Sequence, residues 1–420
     1  MLPQTNIITN IMERRRLVGR CLEVTLLVWP IGSSNWATWF GHSLKGSTAI
    51  NTGRRVVSVS LEGSLLRTFV LIIILFFVSC SAVCEEPYPI KIAGIFDLSS
   101  GAGASWGVTE KNSFLMAVSE FERAHPEVQV SYKIEDSAYS NTKSVNALQK
   151  VSSVEGIKYV IGPTWEVFKA IMPICEARHI ICISPSYSNE DFEDPKLKYS
   201  FATWFDDREY SLAHAPYIND RKYKRMAIFA SISPYYDSML DALLAALEIK
   251  PLAVEKVSPD TRDFRALITR TPKEIEALGV FILGDGSAQN FFRQWSELRK
   301  DRPDVFSDDV PLYFNPPIDL LALGFRVFYS VAEIQSDTIK DFNTRYKKLY
   351  GSDPASSSGA ITYDSTMMLL GCIQKRGVST EQVRDCLAET SDFVGASGKL
   401  SFNGGQSVKD RKMVVKELGR

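Results

Sequence analysis

Between residues 158 and 188 the chain reads KYVIGPTWEVFKAIMPICEARHIICISPSYS. An apolar run, Tyr159-Val160-Ile161, breaks at Gly162-Pro163, and helix-period residues follow from 166 to 178. A second apolar run, 180–183, ends in Ser184-Pro185-Ser186-Tyr187-Ser188. Strand, turn, helix and strand form one βαβ unit, whose connection is right-handed. Its strands end in polar, turn-forming residues at their carboxyl ends, where open parallel sheets bind ligands.

The alternation continues on both sides of this unit. A strand at 90–96 leads through a loop at 97–107 into a helix carrying Phe114, Leu115, Val118 and Phe121, which stops before Pro126. A strand at 128–134 precedes a helix capped by Asn141, with Val145, Leu148 and Val151 inward. A short strand at 199–203 closes the first series. After Asp206 the pattern restarts with a helix near 210–219. Strands at 226–230, 252–257, 280–283 and 310–314 then alternate with helices at 236–247, 264–269 and 288–299. A strand at 327–331, helices at 338–350, 361–374 and 380–387, and a β-type tail at 398–402 and 413–417 complete the chain. The expected class is α/β, with a doubly wound parallel sheet in each half.

At 420 residues the chain has room for two well-buried domains. Its 45% apolar and 23% charged residues are those of a soluble globular protein. Residues 1–84 are net basic and the remainder net acidic, and no basic face suited to a phosphate backbone is evident, so nucleic acid is not an expected partner.

Arg67-Thr68, ten apolar residues at 69–78 and then Ser79-Cys80-Ser81-Ala82 read as a secretory signal peptide at 55–84; the apolar core is short for a bilayer span. An uncleaved membrane anchor is the alternative. Val78-Ser79-Cys80 also resembles a lipoprotein box with Cys80 as the acylated residue, against ordinary cleavage near Ala82. Residues 1–54 show no motif and read as a leader that translation from a later start would omit. Of seven Cys, none forms a C-x-x-C pair, and no metal site is expected. Cys372 and Cys386 flank a turn between two helices and could be bridged or remain buried thiols. Cys175 and Cys182 read as core thiols.

The chemistry of an enzyme is missing. There is no G-x-S-x-G elbow and no P-loop, and the Gly101/Gly103/Gly107 spacing is one residue off a dinucleotide fingerprint. Four His residues, none at ligand spacing, offer no base, and no cofactor is expected. Asp206-Asp207 and Asp308-Asp309 read as solvated loop charges.

IKIAGIFDLSSGAGASWG, the helix after it, YVIGPTWE, ISPSYS, Tyr363-Asp364 and the tail GKLSFNGG resemble the extracellular solute-binding proteins of ABC importers, of the leucine/isoleucine/valine- or amide-binding type. The resemblance covers residues 90–418. It implies two α/β lobes joined by three crossover strands, a type I periplasmic-binding-protein-like fold that closes on a ligand. The crossovers would lie at 201–206, 314–317 and 393–398, giving lobe 1 as 88–205 plus 317–393 and lobe 2 as 206–316 plus 394–420. It also implies a monomeric, exported protein, lipid-anchored or free, that hands a small polar solute to an ABC permease. A receptor's sensing module and an exported hydrolase are the alternatives.

The resemblance further places Trp106 against the ligand side chain, and Ser186 and Ser188 where hydroxyl and backbone groups hold a carboxylate and amine. Tyr236 matches an aromatic that closes over the ligand. Trp165 and Glu166 replace the usual hydroxyl corner, and Asp285 stands where an aromatic is common, offering a carboxylate to a cationic group. Helix N-termini, acidic residues and aromatic walls suit a zwitterion on physical grounds too. Each residue also has a structural reading: packing for the tryptophans, turn or cap roles for Ser186, Ser188 and Asp285, and helix-end complementation for Glu166.

Overall fold

The computed structural model describes residues 88–100, 104–283, 286–313, 317–333, 336–408 and 411–419. The leader, the signal segment, Cys80 and Asp285 lie outside them. Among the described residues, no helix is long and apolar enough to cross a membrane.

The first series comprises β1 (Tyr88–Phe96), α1 (Ala104–Ala124), β2 (Val128–Asp136), α2 (Asn141–Gln149), β3 (Tyr159–Ile161), α3 (Met172–Arg178), β4 (Ile181–Ser184) and β5 (Ser200–Ala202). These strands form one parallel sheet in the order β2-β1-β3-β4-β5. Alternation along β1 serves two cores at once. Ile90, Ile92 and Phe96 join Phe114 and Phe121 of α1 on one face; Ala93 and Ile95 join Leu148, Val151 and Phe168 on the other. The helix expected over 166–178 is split into a 3-10 segment, Trp165–Ala170, and α3. Pro173 has no N–H to carry an α-helical bond through the join. Ser140, one residue before Asn141, caps α2 by accepting the Lys143 N–H.

The second series runs α4 (Asp207–Leu212), α5 (Ala215–Arg221), β6 (Met226–Ser231), α6 (Pro234–Ala246), β7 (Ala253–Val257), α7 (Arg265–Arg270), β8 (Ala277–Phe281), α8 (Ser287–Leu298), β9 (Asp304–Ser307) and β10 (Arg326–Ala332). Then come α9 (Ser336–Tyr350), α10 (Ser358–Arg376), α11 (Thr380–Glu389), β11 (Phe393–Gly395), β12 (Gly398–Leu400) and β13 (Met413–Glu417). The second sheet is ordered β13-β10-β9-β8-β6-β7, parallel except for β13. The strand expected at 310–314 is a 3-10 turn, Val310–Tyr313, and β9 lies just before it. Pro311 cannot donate to a central ladder.

Strand pairing moves two of the expected crossovers. Near the first, β5 ends at Ala202 and 203–206 leads to α4. The Asn315-Pro316-Pro317 break is not a crossover, because β10 beyond it pairs with β9 in the second sheet. The chain returns to the first lobe only between β10 and α9. Nor is 393–398 a crossover. It belongs to the β11–β12 hairpin, and Leu400, Phe402 and Val408 are buried in the first-lobe core. Ser407 bridges to Ala202 of β5, so the third crossing lies between 408 and β13.

Two disulfides hold the first lobe, Cys372–Cys386 between α10 and α11 and Cys175–Cys182 between α3 and β4. The second corrects the reading of Cys175 and Cys182 as free core thiols. α3 ends in a left-handed turn at His179 and the chain doubles back at once into β4, which brings the two sulfurs together.

Candidate functional site

Each sheet changes direction of growth once, between β1 and β3 in the first lobe and between β6 and β8 in the second. Loops leaving the carboxyl ends at such switch points line a crevice. In the first lobe that end is tightly built. A Cβ on Gly107 would lie 1.8 Å from the Asp97 carbonyl oxygen, and one on Gly162, at φ +92°, would lie 1.9 Å from that of Ile95. Only glycine lets α1 and the β3 loop approach β1 so closely.

The Thr164 hydroxyl accepts the Asp97 N–H at 3.1 Å and donates to Glu110 Oε2 at 2.6 Å. Glu110 is fully buried, and burial pushes its carboxyl up to about 7 against the opposing bonds from Thr164, Ser186 and Ser358. The Trp165 N–H donates to Ser186 Oγ at 3.0 Å. Trp165 sits in the left-handed region at φ +60°, a costly setting for a large side chain. That backbone projects its ring toward Trp106, whose centroid is 5.4 Å away; Trp106 in turn lies 6.3 Å from Trp204 of the first crossover. Tyr139 meets Trp165 edge-on at 5.3 Å, and its hydroxyl donates to Glu166 Oε1.

The opposite wall comes from the second lobe. Ser233 caps α6 by accepting the Tyr236 N–H at 3.2 Å, which fixes Tyr235 and Tyr236 in the helix's first turn. Tyr236 is buried, and its hydroxyl has no hydrogen-bond partner. Asp308 and Asp309 follow β9 directly, and Asp207 opens α4. Far from being solvated, these three are 0%, 9% and 1% exposed. The carboxylate oxygens of Asp207 and Oδ2 of Asp308 lack partners. Burial pushes Asp308 up to about 7, and burial with neighbouring carboxylates holds Asp207 and Asp309 well above the usual range. Asp206 differs: it caps α4 and pairs with Arg208.

The two walls meet. The Asp207 N–H donates to the Ser188 carbonyl at 2.7 Å, Ser238 donates to Glu190, and Trp106 packs on the cluster containing Trp204, Tyr210 and Tyr236. Glu166, pushed upward by burial, acts electrostatically on both Asp207 and Tyr236. A cavity of about 380 Å³ opens here, lined by Tyr139, Asn141, Glu166, Val167, Lys169 and Ala170 of the first lobe and Pro234 of the second.

Of the expected site residues, Trp106, Trp165, Glu166 and Tyr236 converge on this cleft. Ser186 lies beneath it, 4% exposed, as the acceptor that holds the Trp165 corner, and Ser188 meets the second lobe through its carbonyl. Glu110, Tyr139, Asp207, Asp308 and Asp309 also lie in this region and were not among the expected residues. Both aspartate doublets follow a strand or crossover end, and Glu110 continues the helical spacing of Phe114 and Val118; these positions were the available signals. Among the described residues, no group of His, Cys, Asp or Glu is arranged to hold a metal ion.

The periplasmic binding protein family model matches residues 89–418. No curated protein matches the chain. Solved structures do. The branched-chain amino acid transporter substrate-binding protein LivJ from Streptococcus pneumoniae, in complex with isoleucine, is 19% identical over 78% of this chain and 100% of its own, with a TM-score of 0.64. Leucine-binding protein LivK from Thermotoga maritima is 21% identical over 78% and 94%, TM-score 0.62. A Rhodopseudomonas palustris ABC-transporter solute-binding protein, in complex with 3,4-dihydroxybenzoic acid, is 17% identical over 78% and 93%, TM-score 0.65. With two parallel-sheet lobes, three crossings and a cleft between strand carboxyl ends, the chain belongs to the periplasmic binding protein family, whose members bind solutes.

Proposed function

We propose that the protein is an exported receptor for a small polar solute, which it traps between its lobes and hands to an ABC permease. The observation that carries this reading is the cleft itself: two facing walls on separate lobes, joined only by short crossings that can act as hinges. Ligand-stabilised closure is then the mechanism, and no bond is made or broken. The two disulfides support folding in an oxidising compartment, and the named neighbours support an importer. A free or lipid-anchored monomer is the form this reading assigns.

The test is a thermal-shift screen of the purified protein against amino acids, amides, aromatic acids and amines. A ligand at 100 times its Kd adds about 2.7 kcal/mol, which should raise the midpoint by roughly 5–10 °C. Small-angle scattering should then report a more compact particle. A binder that leaves the particle's dimensions unchanged would overturn closure.

A further inference from the structure

We infer that the solute is an organic cation without a carboxylate of its own, such as a quaternary ammonium, an amine or a guanidinium compound; this rests on the solute-capture reading above. Four carboxyl groups border the seam between the lobes: Glu166 lines the cavity from the first lobe, Asp207 is tied through its N–H to the Ser188 carbonyl, and Asp308 and Asp309 follow the carboxyl end of β9 beside the buried Tyr236. Among the described residues, no Lys or Arg pairs with any of them; Lys169, at the cavity rim, is engaged with Asp191, and Arg208 with Asp206 and Glu193. Buried carboxylates are ordinarily paired, because the desolvation of an unpaired charge is costly. Here both oxygens of Asp207 and one of Asp308 have no partner at all, and the buried Tyr236 hydroxyl, directed at Asp308 without an ordinary hydrogen bond, is likewise unsatisfied. A protein that leaves so much acceptor capacity empty is completed by a donor from outside.

The other components of the cleft agree. Trp106, Trp165 and Tyr139 form one aromatic group on the first lobe, in which Tyr139 bonds to Glu166, and Tyr235 meets Tyr236 edge-on in the second; such rings attract a cation through their faces. The corner that would receive an anion is closed: the Trp165 N–H and the Ser186 hydroxyl oxygen satisfy each other, and Glu110 lies behind them. A carboxylate placed there would face the carboxyl of Glu110 behind the corner and that of Glu166 beside it. Aromatic rings beside carboxyl groups suit an organic cation.

The experiment uses the full chain, with calorimetry and tryptophan fluorescence, and probes of matched size and different charge: choline, agmatine, putrescine and spermidine; 3,3-dimethylbutanol as the neutral isostere of choline; and leucine, acetamide and 4-hydroxybenzoate. At least one cation should bind and alter the fluorescence, while the neutral, zwitterionic and anionic probes do not. Asp308→Asn and Asp207→Asn should each weaken the cation at least 30-fold, and Glu166→Gln about 10-fold, with unchanged circular dichroism. Binding of leucine, acetamide or 4-hydroxybenzoate but of no cation would overturn the inference and leave solute capture standing. Equal binding of choline and its neutral isostere would overturn it too. Silence across the whole panel would count against both readings. Since the Asn variants replace buried carboxyls that lack full hydrogen bonding, a failure to fold is not the expected outcome; should one occur, Trp106→Leu, with cation affinity reduced while stability holds, keeps the test open to refutation.

Discussion

The two lobes share a strand plan and finish the same place in opposite ways. In each, a hydroxyl spans the seam where the sheet reverses its growth: Thr164 accepts the Asp97 N–H, and Ser231 accepts the Leu283 N–H at 3.3 Å. Around the first seam the polar groups run on in a chain, from Asp97 through Thr164 to Glu110 and from Ser186 to Trp165, with Glu110 Oε1 the atom left over. Near the second, Asp207, Asp308 and Tyr236 are buried with open valences. The first wall is largely satisfied within itself, and the second leaves three side chains with unpartnered polar atoms. The unpaired groups make the empty second wall less stable than it could be, and a suitable ligand regains that difference on binding.

The comparison can be broken at its strongest point by removing one of the two bridges, both of which lie in the first lobe. Cys372→Ser with Cys386→Ser opens a loop of sequence separation 14 and should cost about 3 kcal/mol. Calorimetric unfolding should show the first lobe melting earlier, with the second-lobe transition displaced far less; equal displacement of both would mean the lobes unfold as one unit. Next in size is Thr164→Val, which leaves Glu110 and the Asp97 N–H short of a buried partner. It should cost roughly 2–3 kcal/mol by denaturant titration, and an unchanged midpoint would show that the first wall is not held by this chain.

The smallest effect has the opposite sign. Asp308 rises from its ordinary 3.8 to about 7 through burial, beside Asp309, Tyr236 and Ser307. Between those values the unfolded chain has released the proton and the folded chain still holds it, so this group's contribution to stability falls as pH rises through that window. Asp308→Asn should therefore stabilise the ligand-free protein by about 1–2 kcal/mol at pH 8, and the gain should vanish near pH 4. Thermal melts across that range decide it; destabilisation at pH 8 would mean the carboxylate has a partner in the empty protein.

The α/β class was legible because Val, Ile and Phe runs alternate with helix-period stretches regardless of context. Trp106, Trp165, Glu166 and Tyr236 were reached through motif order; the structure brings Trp106 against Trp165 and packs it on the cluster that contains Tyr236. Lobe boundaries were less legible. A Pro-Pro break looks the same whether the chain changes lobe or merely loops within one, and only the pairing of β10 with β9 separates the two cases. Asp207, Asp308 and Asp309 were misread because a doublet of aspartates after a strand usually faces water; their burial is set by tertiary packing that local sequence does not display. Cys175 and Cys182 were misread for a similar reason, since a pairing across a tight αβ turn depends on that turn's backbone.

Neither lobe is a continuous length of chain, and this dictates the order in which the molecule can be made. The first sheet is fully synthesised by β5, yet the face carrying Phe114 stays bare until α10 brings Leu369 and Ile373, and the edge at Ala202 waits for Ser407. The second sheet gains its last strand from Met413–Glu417. A nascent chain therefore has no lobe it can lock early, and contacts this distant in sequence form slowly. Under the export proposed above, late locking would keep the polypeptide pliable while it is threaded through a membrane.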